Sequence, residues 1–253
     1  MFRFHRCSIA VAAATVIRTA SMCSALMHSL PPRLGNVLSI ANSITTSSPR
    51  PLALLDVCGD HALLPIHASA TPNSPFSSFI SSDISENACR SALETIGSIP
   101  SSVPVDVVNC DGLKPYVDAP SPNRTLYVTV IAGVGVRTIL SILEPLATSP
   151  QVSNFPHLIL SPTNTRSTNL NKLFCSEALR RYNLVLCKVN KERERFYFAL
   201  HFSQITAVSG ASPRPTTTAL SSYVDPLDSE SLSCLADWTE RQRLWDLSDE
   251  KYK

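Results

Sequence analysis

The apolar run Leu52-Ala-Leu-Leu55 ends in an acid, Asp56, and leads at once into Val57-Cys-Gly-Asp-His61 and a second apolar stretch, Ala62-Leu-Leu-Pro-Ile66. Few architectures accommodate that order. A short apolar run closed by an acid and a small-residue loop reads as a buried strand, and the segment after it as the opening of a helix carrying Asp60 and His61. Strand, glycine-containing loop and helix start form the unit with which doubly wound α/β folds hold a nucleotide-like ligand. Glycine lets the backbone come close, and the helix N-terminus offers free N–H groups. An ordinary strand-to-helix turn fits these residues equally well, so the remaining chain has to supply the rest of a site.

Strand and helix patterns alternate along that remaining chain. Upstream, Leu30, Leu34, Val37, Leu38, Ala41 and Ile44 recur at helical spacing with Pro31 and Pro32 in the first turn, which predicts a helix over 30–44; a Ser/Thr/Pro linker, 45–51, leads into the first strand. Downstream, strands are predicted over 76–80 (closing at Asp83), 105–110, 125–132 and 157–160, with a helix over 86–96. A helix over 170–182 and a hairpin of strands 184–189 and 196–202, turning through the charged segment 190–195, complete the pattern. The expectation is an α/β, Rossmann-like doubly wound sheet ending in an antiparallel hairpin, with an N-terminal helix and a short C-terminal tail. Ligands of such sheets gather at the carboxyl ends of the strands, where loops 56–61, 83–85, 111–113 and 132–135 would converge. Asp83, closing the second strand, suits a ribose diol, because one carboxylate can accept both hydroxyl hydrogens; it equally suits a helix cap.

Composition narrows the class. With 253 residues, 44% of them hydrophobic, the chain can bury one substantial core. Ile9–Ile17 is too short to span a bilayer. Eight cysteines contain no C-x-x-C pair, which reads as reduced thiols rather than a zinc site. The net charge of +2 hides blocks: residues 1–55 carry five Arg and no acid, 56–165 have nine acidic against four basic residues, and 166–202 have eight basic against three acidic. The last basic block suits a polyanion, although a solvated helix face gives the same pattern. Residues 1–26, basic and acid-free, read as a targeting extension for a mitochondrion or other organelle; a secretory signal is the rival reading, and a start at Met27 would leave the protein cytoplasmic. Residues 203–222, rich in Ser, Thr and Pro, are expected to be a disordered linker, and 223–253 to hold one further helix.

Five segments in order, Leu55-Asp-Val-Cys-Gly-Asp-His-Ala-Leu-Leu-Pro65, Ser82-Asp-Ile84, Asp111-Gly-Leu113, Ile131-Ala-Gly-Val-Gly135 and Leu158-Ile-Leu-Ser-Pro162, resemble the bacterial TrmK-type tRNA adenine-N1 methyltransferases. The resemblance covers residues 28–202, and Leu30-Pro-Pro-Arg-Leu34 is similar to the start of that family. It implies a methyltransferase domain over 27–202 that uses S-adenosyl-L-methionine and methylates N1 of an adenosine in tRNA (adenine 22 in the family), with no metal and no membrane partner. Asp56, Cys58, Gly59, Asp83, Ile84, Asp111, Gly112, Leu113, Ala132, Gly133, Val134 and Gly135 are then expected to bind the cofactor. Asp60 is expected to stabilise the cationic methyladenine, with His61 orienting it or touching the base; a structural histidine is the alternative for His61. Arg137, Arg166, Lys172, Arg180, Arg181, Lys191, Arg193 and Arg195 are the candidate phosphate contacts. The sequence departs from the family at Cys58 (glycine there), Gly59 (Ser or Thr), Val136 (the last glycine of IAGMGG) and Ser161 (the glutamine of LILQP), and the long helical C-terminal extension is shortened or absent. Two other readings stand beside it: a methyltransferase for another RNA or a small molecule, and an RNA- or partner-binding relative that has lost the cofactor.

Overall fold

A computed structural model describes residues 30–99, 104–118, 125–205 and 215–250. The expected extension over 1–26 and the middle of the expected linker lie outside these residues. The elements run α1 (Pro32–Ser43), β1 (Leu52–Val57), α2 (Leu63–Ala70), β2 (Ser78–Asp83), α3 (Glu86–Gly97), β3 (Val105–Asn109), α4 (Lys114–Asp118), β4 (Leu126–Ala132), α5 (Val136–Thr148), β5 (His157–Ser161), α6 (Ser167–Phe174), β6 (Tyr182–Glu192), β7 (Arg195–Gln204) and α7 (Ser229–Glu250).

One seven-stranded sheet has the order β3-β2-β1-β4-β5-β7-β6. The first five strands are mutually parallel, and β7 is antiparallel to both β5 and β6. The expected doubly wound sheet with a terminal hairpin is the fold observed. Its central strands carry apolar side chains on both surfaces because helices cover both faces. On one face Ala53, Leu55, Val57, Ile131, Leu158 and Leu160 pack with α5, α6 and α7 through Ile139, Leu143, Leu173 and Trp238. On the other, Leu52, Leu54, Val128, Val130 and Ile159 meet α1 and α2 through Val37, Ile40, Leu64 and Ala68. Strand order reverses between β1 and β4, which opens a crevice at their carboxyl ends.

Three expectations change. The helix expected over 170–182 ends at Phe174; a 3-10 turn, Glu177–Leu179, follows, and Tyr182 already begins β6. Ala178 and Leu179 bury beneath the sheet while Tyr182 donates its hydroxyl to Phe155 O at 2.9 Å, so tertiary packing overrides local helix propensity. The charged segment 190–195 is mostly strand: Lys191 pairs with Phe196 and Glu192 with Arg195, leaving Arg193 (φ 56°) and Glu194 as the turn. The segment expected to be disordered is ordered at both ends, since Ser203 and Gln204 belong to β7 and Thr217–Tyr223 form a 3-10 helix with Leu220 fully buried. The further C-terminal helix is α7.

Candidate active site

Parallel pairing brings the carboxyl ends of β1 to β5 to one edge of the sheet, and the loops expected to share a site leave from that edge. Asp56, in register with Ser81 of β2 and Val130 of β4, is 4% exposed. Burial, reinforced by the carboxylates of Asp60 and Asp83, pushes its pKa from 3.8 up to about 8. Asp60 and Asp83 thus both act on the buried Asp56, and His61 stands 3.8 Å from Asp60.

The loop after β1 is pulled tight. Cys58 N and Gly59 N both donate to Ser82 O, at 2.7 and 3.3 Å, and Ser81 Oγ donates to Gly59 O at 2.9 Å. A Cβ on Gly59 would stand 2.6 Å from both Asp56 Oδ2 and Ser81 Oγ, closer than van der Waals contact permits. Cys58 lies in the left-handed region at φ 67°. Burial, with the nearby acids adding to it, pushes its thiol up to about 11, so it is held neutral and is a poor nucleophile.

Asp60 and His61 do not open a helix. Ala62, at φ 51°, intervenes before α2 begins at Leu63, so both sit in the turn at the mouth of the crevice. Their side chains are 71% and 54% exposed, with His61 Nε2 3.8 Å from Asp60 Oδ2. That exposure leaves both accessible to a bound molecule.

Across the crevice, Asp83 Oδ1 accepts from Ser85 N at 2.7 Å, while the N-cap of α3 is Ser85, whose hydroxyl accepts from Ala88 N. The cap role that Asp83 could have filled therefore belongs to Ser85. Ile84 stands out at 68% exposure, an apolar side chain left open next to Asp83. Asn109, not singled out in the sequence, donates from Nδ2 to the carbonyls of Asp83 and Ile84 at 3.1 Å each and fixes this turn. Its position at the end of a strand beside the acid is the only signal that sequence offers for it. Asp111 is ion-paired with Lys114, and Gly112 takes φ +56°. Leu113 is fully buried in the core, so its side chain packs rather than flanking a ligand; the family motif locates the loop but not the direction of this residue.

Ala132 to Gly135 close the fourth side. Gly133, at φ +80°, donates to Ser161 O at 3.1 Å, and Thr163 N donates to Val134 O at 2.9 Å, which joins this loop to the one after β5. Gly135 caps α5 in extended backbone, and Val136 is buried at the first helical position. Valine in place of glycine there costs no strain, because this position is helical.

The expected phosphate contacts divide. Arg137 is the second residue of α5 and Arg166 caps α6, both at the crevice edge, and Arg193 and Arg195 stand at the tip of the β6–β7 hairpin, which reaches beyond the end of β5. Lys191 is occupied by Asp237 at 2.7 Å, and Lys172 lies part-way down α6. Arg180 and Arg181 are elsewhere: with Thr148, Val152, Glu177, Gln204 and Ile205 they line a cleft of about 720 Å³ where β5 begins and β7 ends. The early end of α6 carries them to the opposite edge of the sheet, and Arg180 pairs with Glu177 at 3.5 Å.

Among the described residues no three His, Cys, Asp or Glu are grouped to hold a metal ion, and no helix is long and apolar enough to cross a membrane. Comparison with the curated proteins finds no match. Among solved structures, the putative tRNA (m1A22) methyltransferase of Streptococcus pneumoniae in complex with S-adenosyl-L-methionine is similar at a TM-score of 0.62 and 22% identity, over 87% of this chain and 91% of that one. The B. subtilis m1A22 tRNA methyltransferase TrmK gives 0.58 and 20% over 88% and 87%. M. capricolum TrmK in complex with S-adenosyl-homocysteine gives 0.54 and 18% over 79% and 73%. These likenesses concern the fold. Residues 34–200, which span every strand up to Leu200 and all four crevice loops, match the family described as methyltransferase domain, and the chain belongs to that family.

Proposed function

We propose that this protein is an S-adenosylmethionine-dependent methyltransferase acting on N1 of an adenosine in tRNA. The observation that carries the reading is the buried Asp56, acted on by Asp60 and Asp83, beside the tight Gly59 turn at the strand-order switch. A ligand bearing a sulfonium and an ammonium group, with a ribose and an adenine, fits such a crevice: positive charge relieves the acids, Asp83 receives the diol, and exposed Ile84 covers the ring. When bound, S-adenosylmethionine supplies an electrophilic methyl group whose departure leaves a neutral thioether.

The chain's own work is positioning and electrostatics. N1 of neutral adenine carries a free lone pair, so a C–N bond forms as the S–C bond breaks and no base is required to take a proton. Rate then comes from holding the acceptor in line and from tolerating positive charge as it moves onto the base. Asp60, exposed at the mouth, is placed to face that charge, with His61 beside it. The loops 133–135 and 161–163, joined by two backbone hydrogen bonds, form the wall on the other side. Unstacking the base from folded RNA costs roughly a few kcal/mol. Phosphate contacts from Arg137, Arg193 and Arg195 would offset it.

A second reading, methyl transfer to another RNA, is favoured by α7. This helix lies on the hairpin and engages Lys191 through Asp237, which withdraws one cation from the phosphate-binding set. The test is incubation with methyl-labelled cofactor and unmodified tRNA or total RNA, with the product nucleoside identified by mass spectrometry. 1-Methyladenosine in tRNA is the expected product; label in another nucleoside supports the second reading, and no cofactor binding by calorimetry at millimolar concentration overturns both. Within the active enzyme, Asp83→Ala should weaken cofactor binding about tenfold or more, whereas Asp60→Ala should chiefly lower kcat. The opposite pattern would refute the assigned roles.

A further inference from the structure

The C-terminal helix α7 is fastened to the sheet by contacts that do not all serve packing. Ser231, 2% exposed, both accepts from Val189 N at 3.0 Å and donates to Val189 O at 3.1 Å. Trp238, 3% exposed, packs edge-on against Phe198 with ring centroids 5.1 Å apart. These anchor the helix on β6 and β7. Two further contacts reach past the sheet to the loop after β5: Trp238 Nε1 donates to Thr165 O at 2.9 Å, and Gln242 Oε1 accepts from Ser167 N at 2.9 Å.

The second contact is a helix cap supplied from outside the helix. Arg166, the N-cap of α6, makes no side-chain cap hydrogen bond, so the first N–H groups of α6 need acceptors from elsewhere. Gln242 provides one from 75 residues away. It does so at a cost, since it is 7% exposed and its Nε2 finds no partner among the described residues. A leucine or methionine would fill the same space without burying an unmatched amide, so packing alone does not account for glutamine here. The chain between these two contacts is the one that Thr163 N ties to Val134 O and Thr165 Oγ1 ties to Phe196 O at 3.2 Å. Residues 163–167 are thus clamped between the crevice loop 133–135 and α7.

We propose that Trp238 and Gln242 are positioning residues for methyl transfer: by fixing Thr165 and Ser167 they hold the 161–167 loop as a rigid wall of the acceptor pocket. This inference rests on the reading that this wall faces the acceptor base. The helix acts on the geometry of transfer, separately from any grip on the nucleic acid.

The test uses the full chain with three variants. Trp238→Phe keeps a ring against Phe198 and loses the N–H; Gln242→Leu keeps the volume and loses the acceptor; Gln242→Glu keeps an acceptor oxygen for Ser167 N. Methylation of tRNA, cofactor binding by calorimetry, RNA binding by filter retention and amide exchange at 163–170 are measured on each. For the first two variants kcat is expected to fall about tenfold or more, with both affinities within about twofold of wild type and faster exchange at 163–168, while Gln242→Glu recovers most of the rate. Unchanged kcat in an active wild-type background overturns the inference, as does a loss of cofactor affinity that matches the loss of rate. A wild-type protein that methylates no RNA refutes the proposed function instead. Amide exchange then decides the clamp by itself, and unaltered protection at 163–168 overturns it.

Discussion

Replacing Asp56 by Asn should remove a pH dependence that wild-type stability carries. In the fold Asp56 keeps its proton up to about pH 8, chiefly because burial disfavours the carboxylate, whereas in the unfolded chain it ionises near 3.8. The folded state therefore binds more protons throughout this interval: the contribution is complete below pH 3.8 and is lost as pH rises towards 8. Three histidines run the other way. Burial lowers the proton affinity of His67, His157 and His201, the last to about 4, so folding gains stability as pH rises through their ordinary value of 6.5, and the gain levels off above it. Because the histidines act alike in both proteins, the difference between wild type and Asp56→Asn over pH 6.5 to 8 isolates Asp56. One and a half pH decades at about 1.4 kcal/mol each, reduced by the onset of ionisation in the fold, amount to about 1.5–2 kcal/mol, or roughly 3–8 °C in Tm for a domain of this size. Urea denaturation of the cofactor-free proteins at pH 6.5 and 8.0 should show wild type losing this much stability relative to Asp56→Asn over the interval. Thiols whose pKa is raised chiefly by burial, Cys58 and Cys187, ionise near 9 in the unfolded chain and add little over this interval. Parallel profiles for the two proteins would refute the argument that Asp56 is protonated in the empty crevice.

Cys58→Gly should raise stability by about 1 kcal/mol in the same assay, because glycine adopts φ 67° without the Cβ conflict; an unchanged or lowered midpoint would show that the thiol's packing outweighs the strain. Gly59→Ala should destabilise by about 1–3 kcal/mol and abolish cofactor binding, since the added methyl meets Asp56 Oδ2 and Ser81 Oγ at 2.6 Å; calorimetry with near wild-type affinity would contradict it. Arg180→Ala with Arg181→Ala should leave the salt dependence of RNA binding unchanged, whereas Arg137→Ala and Arg195→Ala should each weaken binding and reduce the slope by about one. A reduced slope in the first pair would move the RNA path to the far edge of the sheet.

The parts of the fold legible in the sequence are those where local pattern and tertiary demand agree. β1, β4 and β5 are short, largely apolar runs buried on both faces, and the sequence pattern bounds each to within a residue or two. The pattern misleads where charge or helix propensity competes with sheet position. Lys191 and Glu192 look like loop but complete a strand, because pairing with Phe196 and Arg195 satisfies their backbone while their charges stay at the rim. Leu179 to Arg181 look helical, yet the chain must release Tyr182 into the sheet. Of the site, the loops are readable because glycine and acid at a strand end carry a physical requirement. The inward turn of Leu113, the bracing by Asn109 and the reach of Gln242 to Ser167 are not, since each depends on a neighbour distant in sequence.

The order of Cys58 and Gly59 shows which requirement governs the first loop. The resembling family places glycine first and Ser or Thr second; here the small residues are exchanged. The first position needs φ 67°, which an L-residue tolerates at a cost of about 1–2 kcal/mol. The second needs no special dihedral but has no room: any Cβ falls 2.6 Å from the Asp56 carboxylate and from the Ser81 hydroxyl that donates to Gly59 O. A steric overlap of that size must displace β1, β2 or the acid itself, and the acid is the group whose burial defines the crevice. With one glycine for two positions, the lower free energy places it where the clash would be and accepts torsional strain where the side chain can still be housed, half-buried against the core. The same reasoning makes the double exchange Cys58→Gly with Gly59→Ser non-additive. Relief at the first position cannot compensate the second unless Ser81 and Asp56 move, and a double variant as stable as wild type would show that they do.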